Sequence, residues 1–378
     1  MRQFINETMT QLKNRMIISD EPVLDFVSKK CGYEKNGSMP VPDENWHVFK
    51  KNERWGGVYD GHCCFYKKIE TEFDNMYLFV STGNGGSWGS GNPQFEQFEA
   101  YVDSVPVCGV DGNHTEICIE KSGEHEIYLY GYSGMSEEMY DLKTSLRLYD
   151  DNVRQLYYDI KVPFDLCSLF DETDTRSIDI MKYLTAAAKM LDFRIGGDFK
   201  ASVVKALDFM QREFYGKFCG KDKCGAEVVC IGHTHIDIAW KWTIEQTREK
   251  VLRSFSTALS LLKKYPEYKF MSSQPILYKF VKEQSPELYA QIKEMVKQGR
   301  WEIEGAMWVE ADCNLTSGES LVRQVLYGKR FFKNEFGVDC KVLWLPDVFG
   351  YSAALPQILI KSGVTRFVTS KISWNDTN

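Results

Sequence analysis

Glu227-Val-Val-Cys-Ile-Gly-His-Thr-His-Ile-Asp-Ile-Ala-Trp240 decides the fold. Its apolar opening predicts a buried strand over 227–231, and a helix with Val251, Leu252, Phe255, Leu259 and Leu262 on one face follows it. The alternation then repeats. Strands are predicted at Tyr268–Met271, Trp301–Glu304, Lys341–Leu345 and Arg366–Thr369, with helical stretches between them. One of these helices opens on Thr316-x-x-Glu319, read as a capping box, and ends at Gly337; another carries Leu355, Ile358 and Leu359 and stops at Gly363. Strand–helix alternation of this kind means a parallel α/β sheet or barrel. Five strands do not close a barrel, so an incomplete one is expected over 225–378, in a chain that continues beyond Asn378.

Upstream the pattern differs. Residues 1–38 read as an amphipathic helix and a turn-rich stretch around Asn36-Gly37-Ser38. Over 39–168, short runs rich in Tyr, Phe, Val and Ile (His62–Ile69, Met76–Ser81, Phe98–Val102, Glu116–Ile119, Glu126–Tyr130, Leu142–Leu148) predict an antiparallel β-sandwich. The Gly-rich run 83–92 is read as a hairpin connection with one packed ring, Trp88, in preference to a sugar contact. Residues 169–224 form a connector, helical over 175–215. The fold class is therefore α/β plus β: a sandwich, a helical connector, and part of a barrel.

Composition narrows the function. Of 378 residues, 43% are hydrophobic and 26% charged, which is ordinary globular usage. Net charge is −7 with no long basic run, so nucleic acid is not an expected partner. No apolar stretch is long enough to span a bilayer, and the first residues lack the apolar core of a secretory signal; no membrane association is expected. Eleven cysteines, an odd number in a core-rich chain, fit reduced thiols and a cytoplasmic location better than a disulfide framework. Cys219 and Cys224 have no matching second pair for a zinc knuckle.

In α/β folds reactive groups gather at the carboxyl ends of strands. Two candidates leave strand ends here. In Gly232–Trp240, extended backbone turns alternate side chains the same way, so His235 and Asp237 share a side. An imidazole and a carboxylate so placed make half of a site for a divalent ion. Asp347, in Leu345-Pro-Asp-Val-Phe-Gly350, stands at the mouth of the fourth strand; alone it reads equally as a helix N-cap or an active group, and beside the first motif it reads as active.

Gly232-His-Thr-His-Ile-Asp-Ile-Ala-Trp240, Trp344-Leu-Pro-Asp-Val-Phe-Gly-Tyr-Ser352 and Thr369-Ser-Lys-Ile-Ser-Trp-Asn375 together resemble the α-mannosidases of glycoside hydrolase family 38, closest to the cytosolic-type branch. The resemblance is strong over 226–378 and weaker over the sandwich, where Tyr101-Val-Asp and Val110-Asp-Gly-Asn-His114 carry it. It implies a retaining exo-α-mannosidase on a (β/α)7 barrel, with one Zn²⁺ or Co²⁺ and a mannose-containing oligosaccharide as substrate. His235 and Asp237 match metal ligands, and Asp347 matches the residue that is both ligand and nucleophile. Trp240 and Phe349 match sugar-lining aromatics, and Lys371 a basic position near the nucleophile. His233 is not a family ligand and is read as supporting the ligands.

The family's fourth ligand is a histidine downstream of the nucleophile, and no histidine follows His235. Its acid/base carboxylate also lies beyond Asn378. Glu304, Glu310 and Asp312 are local carboxyls read as metal support or helix caps. The expectation is an N-terminal portion of a longer enzyme, inactive alone, with partners in its own missing domains or in a homo-oligomer. Two other classes stay open: a non-catalytic carbohydrate-binding protein using the sandwich, and another metal-dependent hydrolase such as a deacetylase.

Overall fold

The computed structural model describes residues 1–33, 39–82, 96–171, 173–220 and 227–374; the predicted turn at 36–38 and the Trp88 loop lie outside them. Helix α1 (Arg2–Arg15) is followed by β1 (Ile17–Pro22) and β2 (Phe26–Cys31), two strands absent from the sequence reading. Ten more strands follow: β3 (His47–Phe49), β4 (Arg54–Gly56), β5 (His62–Thr71), β6 (Met76–Ser81), β7 (Gln97–Val102), β8 (Val105–Val110), β9 (Glu116–Ile119), β10 (Gly123–Tyr132), β11 (Met139–Asp141) and β12 (Lys143–Tyr149). They build one antiparallel sheet in the order β1-β12-β6-β9 and another in the order β3-β2-β5-β10-β7-β8, with β4 and β11 as a short ribbon. In β6, Met76, Leu78 and Val80 point inward while the residues between them do not, the period of a half-buried strand. Leu78, Val80, Ile117 and Leu146 of the first sheet share a core with Phe26, Phe65, Ile127 and Leu129 of the second.

Helices α2 (Asp151–Leu166) and α3 (Thr175–Lys189) pack on α1, and α4 (Phe199–Phe209) on α2 and α3, around Leu12, Leu156, Ile160 and Leu184. The sequence reading left α2 out. Its start signal is plain, since the Asp150 side chain accepts from the Asn152 and Val153 amides, but Pro163 inside the helix obscures its end. The connector is not one continuous helix: it breaks at 190–198, where Gly196 and Gly197 precede the Asp198 cap of α4.

The C-terminal part is parallel. Strands β13 (Gly232–His233), β14 (Phe270–Ser272) and β15 (Trp301–Ile303) form one sheet, and β16 (Val342–Trp344) and β17 (Arg366–Val368) a second. A parallel bridge between Gly305 and Leu343 joins them. Gly305 sits at φ 130°, and a Cβ there would lie 2.1 Å from the Ser273 carbonyl oxygen, so this crossing point requires glycine. No closure into a barrel occurs among the described residues. Helices α5 (Ile244–Lys264), α6 (Pro275–Gln284), α7 (Pro286–Lys297), α8 (Gly318–Phe336) and α9 (Leu355–Lys361) connect and cover these strands. The core centres on Trp301, whose ring lies 4.6 Å from Phe270 and 5.1 Å from Phe255, while its indole N–H donates to the Tyr278 hydroxyl at 2.8 Å. None of the described helices is long and apolar enough to cross a membrane.

Two local expectations are corrected. Residues 227–231 are not a buried strand. Val228, Val229 and Ile231 are exposed, and pairing starts at Gly232 because β13 has one neighbour only, β14, in the described sheet. The α8 cap is Ser317, whose hydroxyl accepts from the Ser320 amide; Thr316 donates instead to the Asp312 carbonyl, and Glu319 pairs with Arg323 one turn on.

Helix α5 also lies against the six-stranded sheet. The Thr257 hydroxyl accepts from the Gly109 amide at 2.9 Å, and Ser260 donates to the Val107 carbonyl at 2.5 Å. Buried Glu249 is the hub of this interface. His62 lies 3.1 Å from its Oε2, Gln246 donates to Oε2 at 3.0 Å, and Tyr130 donates to Oε1 at 2.8 Å. Replacing Glu249 with Ala strands His62 and the Gln246 amide away from water, while Tyr130 keeps the Gly32 carbonyl. The expected cost is about 3 kcal/mol, read as a lower urea midpoint at unchanged slope; a change below about 0.5 kcal/mol would show the network is energetically idle.

Candidate metal and active site

The site assembles from strand ends that the fold brings together. His235 and Asp237 follow β13, Asp347 follows β16, and Lys371 follows β17. One ligand atom from each of His235, Asp237 and Asp347 lies within 4.8 Å of the others. His235 is the centre: its Nε2 is 3.2 Å from Asp237 Oδ1 and 3.5 Å from Asp347 Oδ2, and its Nδ1 is 3.0 Å from Glu310 Oε2. The Glu310 carboxylate, working against burial and helped by Asp237, raises the His235 pKa to about 9. Three carboxylates around one imidazole demand positive charge, and Lys371, 2.8 Å from Asp347 Oδ1, supplies part of it at one edge.

Glu310 is held for this task. Ser273 donates to its Oε1 at 2.7 Å, and its amide donates to the Gln274 side-chain oxygen at 3.0 Å. Gln274 in turn donates to the Ile236 carbonyl at 2.8 Å, between the two motif residues. Glu310 Oε2 and His235 Nδ1 are both buried and face each other at 3.0 Å.

His233 belongs to the support. Its Nδ1 is 3.0 Å from the Met271 carbonyl, which makes that nitrogen the donor, and its Nε2 accepts from the Trp344 indole N–H at 3.2 Å. Burial lowers its pKa, consistent with a neutral ring. Although His233, His235 and Glu310 also cluster within 4.8 Å, both His233 nitrogens are engaged, which leaves that group one ligand short.

The Asp347 loop is pinned from two sides. The Tyr351 hydroxyl lies 3.1 Å and 2.9 Å from the Leu345 and Val348 carbonyls and also contacts Thr369, while Ser370 donates to the Pro346 carbonyl at 2.6 Å. Asp347 caps no helix, since α9 begins only at Leu355. Phe349 is exposed, with the Lys371 ammonium 5.2 Å from its ring centre. Trp240 is likewise exposed and meets Trp242 edge-on at 5.4 Å; the Trp242 indole N–H reaches the Asp237 carbonyl at 3.2 Å. Trp240 and Phe349 are thus exposed rings on the segments that carry Asp237 and Asp347.

The three local carboxyls separate clearly. Glu310 is at the site. Glu304 accepts from the Lys341 and Val342 amides at the start of β16, and Asp312 accepts from the Asn314 and Leu315 amides in a turn. Sequence reading grouped these three. Only Glu310 follows directly from a glutamine-bearing loop contact, a signal that needs the fold to be seen.

The donor set suits a divalent cation: one imidazole nitrogen facing two carboxylates, with the other nitrogen backed by a third carboxylate that orients the ring. Comparison with known proteins agrees in class. The chain is 38% identical over 236 residues to "Alpha-mannosidase G" of Dictyostelium discoideum, covering 62% of this chain and 21% of that protein. It is 40% identical over 188 residues to "Alpha-mannosidase" of Saccharomyces cerevisiae, covering 47% of this chain and 17% of that one. With human "Alpha-mannosidase 2C1" it shares 36% over 243 residues, 64% of this chain and 23% of the relative. The chain therefore spans about a fifth of the length of these relatives. Residues 225–378, which hold every residue of the cluster, match the glycosyl hydrolases family 38 N-terminal domain.

Proposed function

We propose that the chain carries the metal-binding and nucleophile half of a retaining exo-α-mannosidase acting on terminal α-D-mannosyl residues of oligosaccharides, set on a (β/α)7-type barrel. The observation that carries this reading is the meeting of His235, Asp237 and Asp347 from two separate strand ends. In this reading His235 Nε2, Asp237 and Asp347 hold one divalent cation, Zn²⁺ by preference and Co²⁺ as the alternative, with Glu310 orienting His235. Such a cation supplies open positions that can accept vicinal sugar hydroxyls.

The chain's own residues do the rest. Asp347, its carboxylate aimed by Lys371, attacks the anomeric carbon as the glycosidic oxygen leaves from the opposite face. Water then attacks from the face the leaving group vacated and displaces Asp347, and the two successive inversions give retention. Trp240 and Phe349 stack on sugar faces and keep water off the reacting carbon. Reduced thiols fit a cytoplasmic setting.

Two outcomes test the proposal. Zinc titrated into the purified chain is expected to bind once per molecule, and Glu310→Gln to weaken it about 10–100-fold by releasing the ring; unchanged affinity would show that Glu310 has no part in the site. Hydrolysis of an aryl α-mannoside, measured in the α-mannosidase polypeptide that contains this segment, is expected to fall about 10³-fold or more in Asp347→Asn, with α-mannose as the first product of the unaltered protein. A mutant that keeps turnover, or β-mannose as the first product, contradicts the assignment.

A further inference from the structure

Outside the cluster at His235, one pair of reactive side chains is placed for chemistry that the glycosidase reading does not use. Cys31, at the end of β2, and Cys64, on β5, bring their sulfur atoms to 3.4 Å across neighbouring antiparallel strands. The ladder pairs Cys31 with His62 and Lys29 with Cys64, so the two cysteines are diagonal neighbours, and closing to a disulfide needs the sulfurs to approach by little more than an ångström with a local shift at the end of β2. The two thiols differ in access. Cys64 is fully buried, in a small core with Trp46, Tyr101, Tyr128 and Tyr130, and Cys31 is half-buried at the edge of the same core. Cys63, next in sequence, points to the opposite face, into the core shared by the two antiparallel sheets, and burial lifts its thiol to about 12. An accessible thiol backed by a buried partner is the arrangement of a sensing cysteine with its resolving cysteine.

We propose that Cys31 and Cys64 form a site of reversible oxidation by peroxide. In the first step the Cys31 sulfur attacks one oxygen of hydrogen peroxide; the O–O bond breaks, water leaves and Cys31 becomes a sulfenic acid. In the second, the Cys64 sulfur attacks the Cys31 sulfur, the S–O bond breaks, a second water leaves and the disulfide forms. Two thiols lose two electrons and two hydrogens, and the peroxide is reduced to water. A dithiol reductant reverses the sequence.

The site is wired to the interface that carries α5. The Tyr130 hydroxyl, which donates to Glu249 of α5 at 2.8 Å, also lies 2.7 Å from the carbonyl of Gly32, the residue after Cys31. Tyr33 donates to Asp60 at 2.6 Å and packs on His62 at 4.5 Å. A disulfide at Cys31–Cys64 therefore ties down the chain segment that supports the Glu249 hub, and with it the helix that follows the His235 loop.

The test uses the intact chain. Native protein is treated with a few equivalents of hydrogen peroxide, blocked with an alkylating reagent and digested without reduction. The expected product is one peptide pair joining Cys31 to Cys64, two hydrogens lighter than the sum of its parts and lost after dithiothreitol. Cys31→Ser is expected to abolish the pair and leave Cys64 as a free thiol, whereas Cys63→Ser leaves the pair intact. Oxidation of Cys31 to sulfinic or sulfonic acid with Cys64 still free overturns the proposal, as does a pairing of Cys31 with any other cysteine. The mapping on the unaltered chain decides the matter even where a variant fails to fold.

Discussion

One imidazole surrounded by carboxylates is the constraint on which the C-terminal half depends. His235 has Glu310 on its Nδ1 side and Asp237 and Asp347 on its Nε2 side. Placing three acids around one base within hydrogen-bond reach is unfavourable unless positive charge is present, as a proton on the ring or as a cation in its place. The fold supplies the geometry that makes this concentration of charge possible. The run β13-β14-β15, bridged to β16 through Gly305, places the residues that follow β13 and β16 in one cluster although the two strands are not neighbours. Hydrogen bonds from Ser273 and Gln274 then fix Glu310, and Tyr351 and Ser370 fix the loop bearing Asp347.

The two halves of the chain are joined by the same logic of satisfied buried polar groups. Glu249 is a charged residue in a largely apolar interface, tolerated because His62, Gln246 and Tyr130 converge on it. Its helix begins just after the His235 loop, and Thr247 of that helix donates to the Ile238 carbonyl at 2.7 Å. The antiparallel sheets thus act on the site indirectly, by holding the helix that holds the loop. Arg253, one turn further along, extends the contact to Gln97 and Gln246 at 2.9 and 2.8 Å.

Much of this was legible in the sequence, for identifiable reasons. The apolar face of α5 and the strands near 270, 301, 342 and 366 follow from the sequence pattern, with the starts at 268 and 341 read two residues and one residue early. His235, Asp237 and Asp347 stood out because they follow strand ends, and their atoms lie together in space. Periodicity failed where burial and pairing part company. Val228, Val229 and Ile231 are apolar yet exposed, because a strand needs neighbours as well as side chains. Helix α2 was hidden by Pro163, and β1 and β2 by polar residues at strand edges. The support given by Glu310, Gln274 and Trp344 was out of reach for a different reason. Each acts across a contact between segments more than thirty residues apart, and no spacing rule reports such a contact.

The most direct measurement is a crystal structure of the zinc-soaked protein with anomalous data collected at the zinc absorption edge. The account places a single peak at bonding distance, roughly 2.0–2.2 Å, from His235 Nε2 and from one oxygen each of Asp237 and Asp347, with Glu310 still against Nδ1. A peak bound through His233, or zinc found only at surface carboxylates with the His235 cluster unchanged, would contradict it.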